Sequence, residues 1–304
     1  KVLYGVLLST VLFSGIGTTW GAVLNAGNRF AWAAAVPMVT SLTTMVAVLC
    51  LARSWSVYAL AGAAVTGAFV EAALLGWQLK RLGSALLPQW HGLSPATRQV
   101  LGQYWPMVAA AFLMGSTHLI SQGMAAMLDP GSVSALGYGN KVTAVLLGVG
   151  ATAVSTAFLP HFSRMVALDD WNGIRDTLFT YTGLLLAVTI PLSALLIYIS
   201  EPVIALLFQR GAFTESDAKI VGEVQAMYLL QVPPCIAGML TVRLISAMRA
   251  THIMLWGNII NILLCVVLTY LLLRRFGVVG IALATSVMYV ISFCFLFVAS
   301  ARCL

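Results

Sequence analysis

The chain has 304 residues, 61% of them hydrophobic and only 8% charged, with a net charge of +7 and a mean hydropathy of +0.97. A soluble domain is about one quarter charged, so these polar side chains cannot cover a water-exposed globule, and lipid must be the solvent. The basic residues are scattered without a dense stripe, which argues against a nucleic-acid partner. The five cysteines (Cys50, Cys235, Cys265, Cys294 and Cys303) form no CxxC or His/Cys cluster, so neither a disulfide framework nor a zinc site is supported.

A bilayer core of about 30 Å needs about 20 apolar residues per helix. Nine stretches qualify, in chain order 3–24, 31–51, 56–79, 103–128, 132–158, 178–199, 221–247, 253–273 and 277–300. Spanning segments must satisfy their own backbone hydrogen bonds, and the runs lack period-2 alternation, so each is read as a helix. The fold class is therefore all-α, a polytopic transmembrane bundle with about nine spanning helices.

Between the third and fourth spans, residues 80–102 mix basic residues with Leu and Trp, as do 159–177 further on; both suit short helices lying in the membrane interface. The connection 200–220 is polar towards its end and carries Gly211, a turn signal. The bias of Lys and Arg between the two faces, 8 against 6, places the first two of these loops in the cytoplasm. The first residue is Lys1, an apolar span starts at once, and the last span runs to the end. The expected organisation is three helices of a first lobe in 1–85, a cytoplasmic amphipathic linker in 86–102, and a six-helix lobe in 103–304. Six consecutive helices make a natural lobe in transporters built from repeated halves.

Ionisable groups at membrane depth cost about 2.5–3.5 kcal/mol each and mark functional sites by default. Four stand out: Glu71, His118, Lys141 and Arg243. Lys141 sits about 13 Å into its helix at about 1.5 Å per residue. It either snorkels to the interface or faces a watery cavity and binds an anion; neighbouring Tyr138, Asn140 and Thr143 favour the cavity. Glu71 is read as a cation partner or a proton carrier, or as a neutral carboxyl in a helix contact. His118 lies among Ser116, Thr117, Ser121 and Gln122, as an interhelical hydrogen bond or a cavity-lining relay. Arg243 either snorkels or lines a cavity. Pro233 and Pro234 should kink their helix well inside the membrane, and Gly17 with Gly21 forms a GxxxG packing signal. No HExxH, GxSxG, Walker or GxGxxG motif occurs, so no enzyme activity and no cofactor is expected.

Four segments carry a resemblance. GAVLNAGNRFAWAAAVPMV (21–39), DPGSVSALGYGNKVTAVLLGVGATAVSTAFLPHFSR (129–164), LLFQRGAFTESD (206–217) and, more weakly, VRLISAMRAT (242–251) resemble motifs of the MurJ/MviN family in order and spacing. The resemblance implies the two-lobed exporter fold of fourteen helices, with this chain beginning at the fourth and ending at the twelfth. It implies a multi-pass protein of the bacterial cytoplasmic (inner) membrane that flips lipid II, an undecaprenyl-diphosphate-linked peptidoglycan precursor, by alternating access. The implied partners are the polyprenyl-diphosphate-linked saccharide, membrane lipid and the cell-wall synthesis machinery.

Lys141 falls on the family's cavity arginine and Arg29 on the arginine of its "RF" pair. With Asn140 and Arg243 these are the expected substrate-binding residues, while Glu71 and His118 are candidates for ion or proton coupling. Ala144 and Ser121 stand where members often carry acids. A flippase for an exopolysaccharide precursor shares the diphosphate chemistry and stays open; a small-molecule or drug antiporter would need an acidic cavity.

Overall fold

The computed structural model describes residues 2–26, 30–82, 108, 112, 115–248 and 251–303. Every regular element among the described residues is a helix: α1 Val2–Ala26, α2 Phe30–Arg81, α3 115–125, α4 Ser132–Ala167, α5 Trp171–Tyr198, α6 Ser200–Phe208, α7 Glu215–Leu229, α8 Val232–Ala247 and α9 Thr251–Cys303. The chain divides into two compact units, Lys1–Thr97 and Arg98–Leu304.

In the first unit, α2 is too long to be one straight rod. Thr40 and Glu71 are hydrogen-bonded at 2.5 Å, although 31 intervening steps would separate them by about 46 Å at about 1.5 Å each. The helix therefore doubles back, and the apolar segments Ala35–Leu49 and Leu60–Arg81 are its two arms. Together with α1 they bury Leu24, Val36, Leu75 and Leu79. Close approach depends on Gly76, where an added Cβ would sit 2.7 Å from the Trp20 ring. Of the expected GxxxG pair, Gly17 faces Glu71, whereas nothing lies near Gly21; one glycine of the pair makes a close contact.

The second unit is built around α8, whose residues Val232–Gly238 are all buried. Val154 and Phe162 of α4, Ile174 and Leu178 of α5 and Leu229 of α7 pack against Ile236, Leu240 and Leu244. Lipid is as apolar as these side chains, so van der Waals packing and interhelical hydrogen bonds, rather than exclusion from water, hold the bundle together. At the double proline, where a kink is expected, the structure has a full break between two helices. α7 ends at Leu229, two residues turn, and Pro233 and Pro234 occupy the first turn of α8, where their missing N–H groups cost nothing.

α9 also folds back. Gly277 has φ 56° and ψ −135°, a conformation open essentially to glycine alone that costs other residues about 1–3 kcal/mol. The two arms meet where Asn261 Nδ2 donates to Ser292 Oγ at 3.1 Å.

Among the described residues, four helices are long and apolar enough to cross a membrane: Leu60–Arg81, Trp171–Tyr198, Glu215–Ala247 and Ile253–Arg302, the last containing both arms of α9. The expected interface helix at 159–177 does not exist as a separate element. α4 runs on to Ala167 and α5 begins at Trp171, because Asp170 caps α5 by accepting from the Gly173 N–H at 3.0 Å and only a short turn intervenes. The expected linker 86–102 lies outside the described residues.

Candidate functional site

Helical periodicity decides which side chains of α4 share a face. Residues 137, 140, 141 and 144 follow the i, i+3, i+4, i+7 pattern. Gly137, Asn140, Lys141 and Ala144 all line one cavity of about 240 Å³. His118, Ser121 and Gln122 close it from α3, and Tyr228 from α7. Tyr138, one step round the helix, is turned away and packs against Phe208 and Phe213, with ring centroids at 5.0 and 5.8 Å. Thr143 is fully buried with no hydrogen-bond partner for its hydroxyl and is not in the lining. Of the three polar neighbours expected around Lys141, only Asn140 faces the cavity with it.

Gly139 sets the depth of this face. An added Cβ there would lie 2.6 Å from Val224 and 3.2 Å from the Gln225 backbone N, so α4 presses directly on α7 beside the cavity. His118 points into the same space and bonds Gln122 across 3.0 Å, one turn along α3. The imidazole is thus cavity-lining, as one of its two sequence readings has it.

A smaller cavity of about 160 Å³ adjoins the first, sharing His118, Ser121, Asn140, Ala144 and Tyr228 and adding Gln231, Thr285 and Tyr289. A third, of about 360 Å³, shares Thr117, Met288 and Tyr289 with the second and contains Arg243, Asn258, Asn261 and Ser292. The three adjoin one another within the second unit. Among the described residues no Asp or Glu lines any of them, and the Lys and Arg side chains in their linings are Lys141 towards one end and Arg243 towards the other. Sequence reasoning placed Arg243 with Lys141 as one substrate site; the structure puts them in different cavities. It passed over Asn258, Asn261, Gln231 and Tyr289. The pair Asn258 and Asn261 in WGNIINILL was the available signal, being two amides one turn apart in an apolar run.

Glu71 belongs to the first unit and takes no part in these cavities. Its Oε2 accepts the Thr40 hydroxyl, and the same hydroxyl lies 3.4 Å from the Gly67 carbonyl. Among the described residues no cation pairs with it; a threonine one helix arm away holds it. Arg29 lies outside the described residues. No group of three metal-ligating side chains occurs among the described residues.

A family model described as lipid II flippase MurJ matches residues 2–304. The chain is similar to a probable lipid II flippase MurJ of Thermotoga maritima, 30% identical over 298 aligned positions covering 94% of this chain and 57% of that protein. It is also similar to one of Synechocystis sp., 28% identical over 292 positions covering 92% and 54%. The chain thus spans about half the length of the curated relatives it matches.

Among solved structures, it superposes on lipid II flippase MurJ in an inward closed conformation with a TM-score of 0.78 at 21% identity, over 95% of this chain and 60% of that one. It also superposes on the Vibrio cholerae MATE transporter VcmN in the bent form, with a TM-score of 0.64 at 16% identity, over 99% and 68%. At these identities the likeness speaks for the fold.

Proposed function

The chain belongs to the lipid II flippase MurJ family, and from that premise we propose that the protein moves an undecaprenyl-diphosphate-linked peptidoglycan precursor across the bacterial cytoplasmic membrane. It is a multi-pass helical membrane protein. The observation that supports the reading is the cavity beside α4, a chamber in an apolar bundle lined by His118, Ser121, Gln122, Asn140 and the Lys141 ammonium, with no carboxylate in its lining among the described residues.

A lone ammonium at that depth is matched by a polyanionic guest. The diphosphate supplies it, and Lys141 meets it as a point charge with three donors rather than as the two-pronged fork of arginine. Asn140 adds an amide within the same lining. The polyprenyl chain stays in lipid while only the headgroup enters. Alternating access presents the chamber to one side of the membrane and then to the other, driven by membrane potential or an ion gradient. Arg29, matched to the arginine of the family's "RF" pair, is a further contact for the headgroup. His118, within the chamber, and Glu71, held by Thr40, are the titratable groups for ion or proton coupling. The cell-wall synthesis machinery is the natural recipient of the product.

The acid-free lining of the three cavities also weighs against export of cationic drugs, which needs anionic lining. The decisive experiment is complementation of cells depleted of their lipid II flippase by the full-length gene. Wild type and Lys141→Arg should restore growth, and Lys141→Gln should fail at equal membrane abundance. Growth with Lys141→Gln would refute the role of the charge. Failure of the wild type would refute lipid II as substrate and leave an exopolysaccharide precursor with the same diphosphate.

A further inference from the structure

The cavity at Arg243 has a chemistry of its own. Arg243 projects from α8, Asn258 and Asn261 from the first arm of α9, and Tyr289 and Ser292 from the second. Two polar atoms there are buried with no hydrogen-bond partner among the described residues: Nε of Arg243 and Oδ1 of Asn261. The other half of the Asn261 amide is spent on Ser292. Among the described residues no acid lines the cavity and none pairs with Arg243.

A buried donor on a charged group that makes no bond is among the more costly arrangements a fold can keep. The fork of a guanidinium fits an oxyanion through two parallel hydrogen bonds. The remaining walls are apolar, including Met239 and Phe293, so they accept hydrocarbon attached to that oxyanion. The volume of about 360 Å³ lies within the usual range of about 300–1,000 Å³ for small-molecule sites.

This chamber is separate from the one at Lys141. Ala151 lines it on α4, ten residues beyond Lys141, which places the two about 15 Å apart along the helix axis. We propose that the second unit carries a site for a phosphate-type oxyanion at Arg243, filled by the headgroup of an anionic phospholipid or by free phosphate, and distinct from the chamber at Lys141. The narrow cavity between them shares lining with both, so an occupant at Arg243 is positioned to alter the hydration of the Lys141 chamber.

The proposal concerns binding and stands or falls independently of the transported substrate. The test uses the full-length protein in phosphatidylcholine nanodiscs, as wild type, Arg243→Gln, Arg243→Lys and Lys141→Gln. In one arm phosphatidylglycerol is titrated in, and retained lipid is counted by native mass spectrometry. In the other, inorganic phosphate is added without phosphatidylglycerol, and the shift in thermal unfolding is read. Arg243→Gln should weaken at least tenfold the binding that Lys141→Gln leaves in place, and Arg243→Lys should retain part of it. A response to phosphatidylglycerol alone identifies a lipid headgroup; a response in both arms identifies phosphate as sufficient.

Equal binding by wild type and Arg243→Gln in both arms, or no binding by wild type, overturns the proposal and leaves a chamber holding only water. Should Arg243→Gln fail to fold, Asn258→Trp fills the chamber with the arginine in place. It must lower binding at least tenfold as well, and wild-type binding by that variant overturns the proposal.

Discussion

Replacing Gly139 by alanine tests whether the close fit of α4 on α7 builds the Lys141 chamber. The new Cβ would lie 2.6 Å from Val224 Cγ1, about 0.8 Å inside the 3.4 Å at which ordinary contact begins. Val224 has no room to retreat. It is fully buried in a cluster with Ala125, Leu136, Tyr228, Ile281 and Ala282, and the nearest atom beyond Val224 itself, Gln225 N at 3.2 Å, is backbone. Overpacking of this kind costs about 1–3 kcal/mol, against which exchanging glycine for alanine in a helix returns up to about 1 kcal/mol.

Gly148→Ala is the control on the same helix, because nothing lies within 4 Å of its Cβ position and only the gain applies. Thermal unfolding of the two purified full-length variants should differ by the overpacking cost alone. At roughly 2–4 °C per kcal/mol for a unit of this size, Gly139→Ala should melt about 2–12 °C below Gly148→Ala. Complementation should fall with it, since Asn140 and Lys141 ride on the displaced turn. A Gly139→Ala protein as stable as Gly148→Ala would refute the account of this contact.

Two further outcomes are expected besides those for Lys141 and Arg243. Thr40→Val removes the hydroxyl that donates to Glu71; leaving a part-buried carboxyl oxygen without that bond predicts destabilisation of about 1–3 kcal/mol. Unfolding in denaturant measures it, and a change under about 0.5 kcal/mol, the ordinary scatter of surface substitutions, would contradict the contact. Gly277→Ala forces a side chain into φ 56°, ψ −135° and should cost about 1–3 kcal/mol, whereas Gly183→Ala, with nothing near its Cβ position, should not destabilise. Equal melting of that pair would show that the turn between the α9 arms has other ways to form.

The helices were legible because lipid imposes the crudest of sequence rules. A run long enough to cross and poor in charge has few alternatives to a helix, and the double proline and Gly211 mark breaks that any context must respect. The α4 site was half legible. Lys141, Asn140 and His118 stood out by the energetic oddity of polar groups at depth, and the structure gathers them around one chamber. Tyr138 and Thr143 were misplaced because adjacency along the chain was weighed above rotation around the helix. Arg243 was grouped with Lys141 because charge has no address in a sequence. Glu71 drew a partner from Thr40, 31 residues away, across the break between the second and third spans; the break was legible in composition, but not which side chains it would bring together.

The sequence alone determined the solvent, the helical class and the short list of costly residues, since each follows from the free energy of placing single groups in oil. Only the tertiary structure decided which of those residues share a chamber, which are held by a neighbour, and which keep an unmade hydrogen bond. Those outcomes depend on the rotation and docking of whole helices, fixed by contacts such as Gly139 on Val224 and Gly76 on Trp20 between positions far apart in the chain.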